Sequence, residues 1–311
     1  MAVGPLARYR SMAVRSLEQP SVGRAPPGSY RRICEHPAVS EHDDVTVVVP
    51  CFNYGRFLEE ALASVRAQAG GPPRLLVVDD GSTEPETQRT LGSLSEDVGL
   101  LRQRNAGLSA ARNAGFRAAR TPLLLALDAD DLLPPAALRA LKQGLEADPV
   151  AGFAYGVTRF FGEWSGELAM PGWDPYRLLY RHTIGPTALT RRELFEDVGG
   201  YDEHVTGFED WEFWLHALAH GWHGVKVAEV TFLYRRHGVT MLAGARRDYR
   251  RWYRRMRLKH SDLYRRRREL ARGSDLGAVG RLLYRFYWGP RPIPAVVEQR
   301  LYHLIWGRRR S

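Results

Sequence analysis

Leu123, Leu124, Leu125, Ala126 and Leu127 form an apolar run of strand length that stops at Asp128-Ala129-Asp130-Asp131, and Pro134-Pro135 then opens the next segment. Four to eight apolar residues closed by a turn signal read as a buried strand. The pattern occurs twice more. Arg74-Leu75-Leu76-Val77-Val78 ends in Asp79-Asp80-Gly81-Ser82-Thr83, and the β-branched run 45–49 breaks at Pro50-Cys51-Phe52-Asn53-Tyr54-Gly55. Apolar residues at helical spacing predict helices over 56–68, 85–94, 107–119 and 136–145, with strands near Leu100-Leu101 and over 152–157. Strand and helix therefore alternate. That pattern implies an α/β fold, a Rossmann-like and mostly parallel central sheet with helices on both faces. The carboxyl ends of neighbouring strands in such a sheet open onto one crevice, where ligands bind.

Two of those strand ends carry paired carboxylates, and no Lys or Arg flanks Asp128 to Asp131 in the sequence. A hard divalent cation, Mg²⁺ or Mn²⁺, is the natural partner, taking oxygen ligands and sharing them with substrate phosphates. A solvated Asp-rich turn with a helix cap is the plainer alternative. No GxGxxG follows the first strand and no GxxxxGK[ST] loop occurs, so phosphate would be held through a metal and not a glycine-rich cradle.

The second half is less regular. A short helix over 193–198 is stopped by Gly199-Gly200. After a loop over 201–208, Glu209-Asp210-Trp211 opens a helix ending near His220-Gly221. Trp211, Trp214, Leu215 and Leu218 fall on one face and are core by default. Asp210 sits at the helix start, where dipole and free amides favour an ionised carboxylate. Residues 225–236 predict two short strands closing at His237-Gly238. His216, His220 and His223 lack the HExxH spacing and read as ordinary polar residues. The aromatics Phe160, Phe161, Trp164, Trp173 and Tyr176 either line an acceptor groove or cover the sheet.

The two cysteines, Cys34 and Cys51, argue against a disulfide scaffold and fit a reducing, cytoplasmic setting. No stretch is long and apolar enough to span a membrane. Residues 1–44, rich in Arg, Pro, Ser and Gly, read as a disordered leader. The net charge of +10 is concentrated late: residues 246–270 hold twelve Lys or Arg against Asp248, Asp262 and Glu269. Their helical pattern places Tyr249, Trp252, Tyr253, Met256, His260, Leu263 and Tyr264 on one seam. Two further amphipathic helices are predicted over 276–287 and 295–306. This basic extension, 242–311, is expected to dock on the domain with a solvated face or to meet an anionic membrane surface peripherally, on its inner side. A nucleic-acid partner is not expected, because no base-reading motif accompanies the charge.

Seven motifs in order resemble the family-two glycosyltransferases, which have the GT-A fold. They are Val-Val-Val-Pro-Cys-Phe-Asn, Val-Asp-Asp-Gly-Ser-Thr, the run Asn105 to Gly115, Leu-Asp-Ala-Asp-Asp, Gly199-Gly-Tyr-Asp, Glu209-Asp-Trp, and Tyr234-Arg-Arg-His237. The resemblance runs from about Val45 to Met241 and implies a glycosyltransferase domain over 45–241, with a nucleotide-sugar half (45–157) and an acceptor half (158–241). It implies an inverting transfer from a nucleotide-diphospho sugar to a glycan or lipid-linked acceptor. Pro50 and Phe52 would lie against the base. Asp79, Asp80, Arg112, Asp128 and Glu209 would surround the nucleotide sugar. Asp130, with Asp128 and His237, would hold Mn²⁺ or Mg²⁺, and Asp210 would be the general base. The rival readings are a nucleotidyltransferase and a catalytically silent nucleotide-sugar or glycan-binding module.

Overall fold

The computed structural model describes residues 30–31, 40–168, 171–237 and 248–288. The expected leader, apart from 30–31 and 40–44, and the expected helix over 295–306 lie outside the described residues. Strands β1 (Tyr30–Arg31), β2 (Val45–Cys51), β3 (Arg74–Asp79), β4 (Val98–Arg102), β5 (Leu123–Ala126), β6 (Phe153–Gly162), β7 (Gly166–Leu168), β8 (Leu189–Arg191) and β9 (Gly224–Arg236) build one sheet. Its order is β1-β4-β3-β2-β5-β8-β6-β7, with β9 along the other edge of β6. The β4-β3-β2-β5 stretch is parallel, and β8 runs antiparallel to both β5 and β6.

The apolar runs become strands because both faces of this sheet are covered, which suits continuous β-branched sequence. Val45, Val47 and Val49 pack on one face with Leu58 and Leu62 of α1 (Gly55–Arg66) and Leu138 and Leu141 of α4 (Ala137–Ala147). Val48, Leu124 and Ala126 pack on the other with Ala111 and Phe116 of α3 (Leu108–Ala118). Helix α2 (Pro85–Gly92) and the short α5 (Pro175–Leu178) complete the flanks. The small residues of α3 let it approach β2 closely: a Cβ on Gly115 would meet Val48 Cγ1 at 2.2 Å. Helix α6 (Arg192–Val198) ends where Gly199 takes a φ of 77°, the left-handed cap that glycine adopts without strain.

Two expectations change. Residues 224–236 form one strand in place of two short ones. It follows β6 through register shifts between Tyr155 and Thr158, which absorb the break in its pattern. The helix expected over 246–270 divides into α8 (Tyr249–Lys259), α9 (Ser261–Arg265) and α10 (Arg267–Leu270), and α11 (Ala278–Leu283) continues into a π-helical turn, Tyr284–Trp288. The first division falls at His260, whose side chain is drawn inward to a buried carboxylate on α7 (Glu209–Ala219). The seam itself is core: Tyr249 and Tyr253 stack on Trp211 of α7 at 6.2 and 6.0 Å.

Candidate active site

The register of the parallel strands sets the site. Pro50 pairs with Val78, Cys51 with Asp79, and Val48 with Ala126, so β2, β3 and β5 release their chains at one edge. Pro50 is buried near the end of β2, and the Phe52 ring just beyond it is 44% exposed on a braced turn. Asn53 does the bracing: its Oδ1 accepts from Thr83 N at 2.8 Å and Glu84 N at 3.0 Å. Between these loops Cys51 is buried, which pushes its thiol up to about 11 and leaves it an inert small hydrophobe.

The two β3 carboxylates do different work. Asp79 accepts from Ser82 N at 2.8 Å and lies 3.4 Å from Arg102, so it is spent on its own turn and on β4. Asp80 accepts from Gln103 Nε2 (2.7 Å), Ala106 N (2.9 Å) and Gly107 N (2.8 Å). It thereby fixes the loop that enters α3. Both carboxylates are buried.

Helix α3 carries the residue that joins the two halves. Arg112 is 1% exposed, with Nη2 2.6 Å from Asp128 Oδ1, Nη1 3.6 Å from Glu209 Oε1, and its guanidinium over the Tyr201 ring at 5.5 Å. The cation absent from the sequence around Asp128 is thus supplied from another helix. One buried arginine ties the β5 loop to the start of α7. Glu209 and Asp210 occupy the first turn of α7. Burial, then repulsion from Asp210, pushes the Glu209 carboxyl up. Asp210 behaves oppositely. Its Oδ1 accepts from Trp211 N at 2.9 Å, and Oδ2 lies 3.0 Å from His182 Nε2. Burial acts to raise the Asp210 carboxyl, but the neighbouring His182 and then Arg112 outweigh it and hold the group below the usual carboxylate range. Burial likewise acts to lower His182, and the Asp210 charge overcomes it and raises the imidazole.

On the other side of Asp128, Asp130 Oδ2 lies 2.8 Å from His237 Nε2. The β5 loop is held to β9 there. Arg235 N donates to Asp131 Oδ1 at 2.7 Å, Arg235 Nε donates to the Asp130 carbonyl at 2.7 Å, and Leu132 pairs with Leu233. Burial and the charges of adjacent carboxylates push both Asp130 and Asp131 up, Asp131 well up. A divalent cation would relieve that repulsion, and the donor types are ones such an ion takes. Asp130 and His237 stand side by side as a 2.8 Å pair, and Mg²⁺-type sites take one or two carboxylates with the rest from water and substrate phosphate. Asp128 spends one oxygen on Arg112. Among the described residues no group of three or more His, Cys, Asp or Glu forms a preassembled metal cage.

The residues expected at the site therefore assemble as two groups. Asp128, Arg112, Glu209 and Asp210 form one, and Asp130 and His237 form the other, joined through the short β5 loop. Asp80 and Phe52 stand on loops leaving the same sheet edge, and Asp79 is committed elsewhere. Two residues escaped the sequence reading. His182 lies in an irregular stretch with no periodicity to mark it. Arg235 stands in the Tyr-Arg-Arg-His string, where only the histidine drew notice. Of the histidines on and after α7, His216 and His220 meet edge to face at 4.9 Å, while His220 Nδ1 lies 3.2 Å from Asp197 and His223 Nε2 lies 2.8 Å from Asp148.

The family model for glycosyl transferase family 2 matches residues 46–208, more than half of the chain. An uncharacterized glycosyltransferase of Mycobacterium tuberculosis is 31% identical over 212 residues, covering 66% of this chain and 92% of that protein. An uncharacterized protein of Sinorhizobium fredii is 30% identical over 187 residues, 56% of this chain, which spans only 20% of that longer protein. Among solved structures, S. aureus TarS 1–349 in complex with UDP-GlcNAc superposes with a TM-score of 0.58 at 17% identity, covering 77% of this chain and 70% of that one. That likeness shows the fold, a central mostly parallel sheet flanked by helices. The family match, the mycobacterial relative and this fold together make the chain a glycosyltransferase belonging to glycosyl transferase family 2.

Proposed function

We propose that the protein transfers a sugar, with inversion, from a nucleotide-diphospho sugar to a hydroxyl of a glycan or lipid-linked acceptor. The observation that carries this reading is the Arg112 bridge, which joins Asp128 of the Asp128–Asp130 loop to Glu209, the residue next to the Asp210 base. TarS, the structural neighbour, is solved with UDP-GlcNAc, and this supports a nucleotide sugar as the donor class. Phe52 and Pro50 offer an apolar platform for the base, and Asp80 holds the loop that walls it. Asp130 and His237, with Asp128, would hold Mn²⁺ or Mg²⁺, which as a Lewis acid stabilises the charge of the departing diphosphate.

Asp210 accepts the proton of the acceptor hydroxyl as it attacks the anomeric carbon from the face opposite the leaving group. One such displacement inverts the centre and needs no enzyme nucleophile. A glycan acceptor suits the aromatic strip beside the loop. Phe160 contacts Tyr234 at 5.5 Å and the half-exposed Trp164 at 4.9 Å.

A panel of UDP-, GDP- and dTDP-sugars tests the reading. Release of nucleoside diphosphate that requires added Mn²⁺ or Mg²⁺ supports it. Release of sugar 1-phosphate in place of nucleoside diphosphate, with the nucleotidyl group passed to added pyrophosphate, means a nucleotidyltransferase, and donor binding without turnover means a silent binding module. Asp130→Ala should abolish the metal-dependent part of donor binding, seen by calorimetry with and without Mn²⁺; unchanged binding in both buffers removes Asp130 from the metal site.

His182 sets the pH behaviour. It keeps Asp210 ionised as pH falls, so the acid limb of kcat/KM should lie low in the parent. His182→Gln removes the larger of the two charges that oppose burial, leaving Arg112 alone, and should move that limb upward. An unmoved limb means that the histidine does not act on the base.

A further inference from the structure

From the outer face of the C-terminal helices we infer that this protein docks on an anionic lipid bilayer through a defined apolar stripe ringed by arginines. This inference is independent of the catalytic reading. On α11 and the turn after it, Val279, Leu282 and Phe286 are 75%, 62% and 59% exposed, and Leu283 is 37% exposed. Their spacing is i, i+3, i+4 and i+7, one face of a helix. The opposite side is anchored: Tyr284 is fully buried, and the Arg281 carbonyl accepts from Tyr176 Oη at 3.0 Å. Leu258 of α8 adds another apolar side chain, 68% exposed. Four contiguous large apolar side chains turned to solvent on one helix face mark an interaction surface.

Charge identifies the occupant. Between Tyr249 and Trp288 thirteen Lys or Arg stand against Asp262, Glu269 and Asp275, a surplus equal to the net charge of the whole chain. Arg251, Arg254, Arg255, Arg268, Arg272 and Arg285 are exposed. A second copy would bring a surface of the same sign. So would residues 289–311, which hold five arginines and one glutamate. Neither complements the face. An anionic partner does, and the apolar stripe separates a bilayer from a nucleic acid: Leu and Phe enter the acyl boundary while arginines reach headgroup phosphates.

The docking face is also held firmly to the catalytic helix. Glu212 of α7 is fully buried and pairs with His260 and Lys259, each at 2.8 Å, and Lys259 reaches Asp202 at 2.7 Å. These partners outweigh burial and hold the Glu212 carboxyl below its usual range. A bilayer engaged by α8–α11 would therefore fix the orientation of α7, and with it the acceptor side of the site.

The full chain is co-sedimented with vesicles of pure phosphatidylcholine and with vesicles containing about 30% phosphatidylserine. The expected result is binding to the anionic vesicles, at least about tenfold weaker for the neutral ones and for the double variant Leu282→Asp, Phe286→Asp. Both side chains are exposed, so the variant should keep the parent's melting temperature and nucleotide-sugar turnover. The inference is overturned by absent or equal binding to the two vesicle types, or by parent-like binding of the variant. It is also overturned if the variant instead dissociates a dimer seen by light scattering, or loses affinity for a single-stranded oligonucleotide while keeping vesicle binding.

Discussion

Asp210→Asn should leave donor binding unchanged and lower kcat by about 10²–10⁴, the usual contribution of a positioned general base. That is roughly 3–5 kcal/mol of lost transition-state stabilisation at about 1.4 kcal/mol per tenfold. The substitution is nearly isosteric. The amide oxygen can still accept from Trp211 N, so α7 should keep its first turn. What disappears is the charge that His182 faces and the lone pair that takes the acceptor proton. The effect should therefore appear in kcat with donor KM unmoved, since Asp210 acts on the acceptor and not on the diphosphate. Steady-state kinetics with the best donor of the panel would measure it. Turnover within a few-fold of the parent would remove Asp210 from catalysis.

Arg112→Met should be the most destabilising single change in the site. The methionine fills similar volume, but Asp128 and Glu209 lose their buried counter-charge. Breaking a buried pair from one side costs about 3–5 kcal/mol, because a charge is left uncompensated. Asp128 is 24% exposed, so water screens part of its charge and the lower part of that range is expected. Urea denaturation would read the loss as a lower midpoint with unchanged slope. Combining Arg112→Met with Glu209→Gln should recover part of the loss, since the second change removes one of the stranded charges. Strict additivity of the two would mean that they are not coupled. Donor turnover should fall as well, since Arg112 joins the β5 loop to α7.

The parallel half of the fold was legible because its strands are buried on both faces and its helices carry one apolar stripe each. Residues 45–147 could be divided almost correctly from periodicity alone. The carboxylates at the ends of β3 and β5 point to the crevice from sequence alone, since strand ends in such a sheet converge by topology. Their partners did not show. Arg112 reaches Asp128 across sixteen residues and Glu209 across nearly a hundred, and no local pattern encodes either distance. The different duties of Asp79 and Asp80 were equally invisible, because they depend on which backbone amides the next loops bring. His182 sits where aromatic packing, not a regular element, sets the chain path. Trp211 Nε1 donates to the Leu178 carbonyl at 2.7 Å, and the His182 ring lies parallel to the Trp211 indole at 6.3 Å. The seam of α8 was legible as a core face, yet its division at His260 follows from a buried glutamate 48 residues earlier.

Stereochemistry probes the proposed displacement most directly. With an α-linked nucleotide sugar and no acceptor, water can take the acceptor's place, and proton NMR can follow the first sugar released. A single attack assisted by Asp210 predicts the β-anomer as the initial product, appearing with nucleoside diphosphate and falling away in Asp210→Asn. The α-anomer as the initial product would require a double displacement or front-face attack, and would contradict the account.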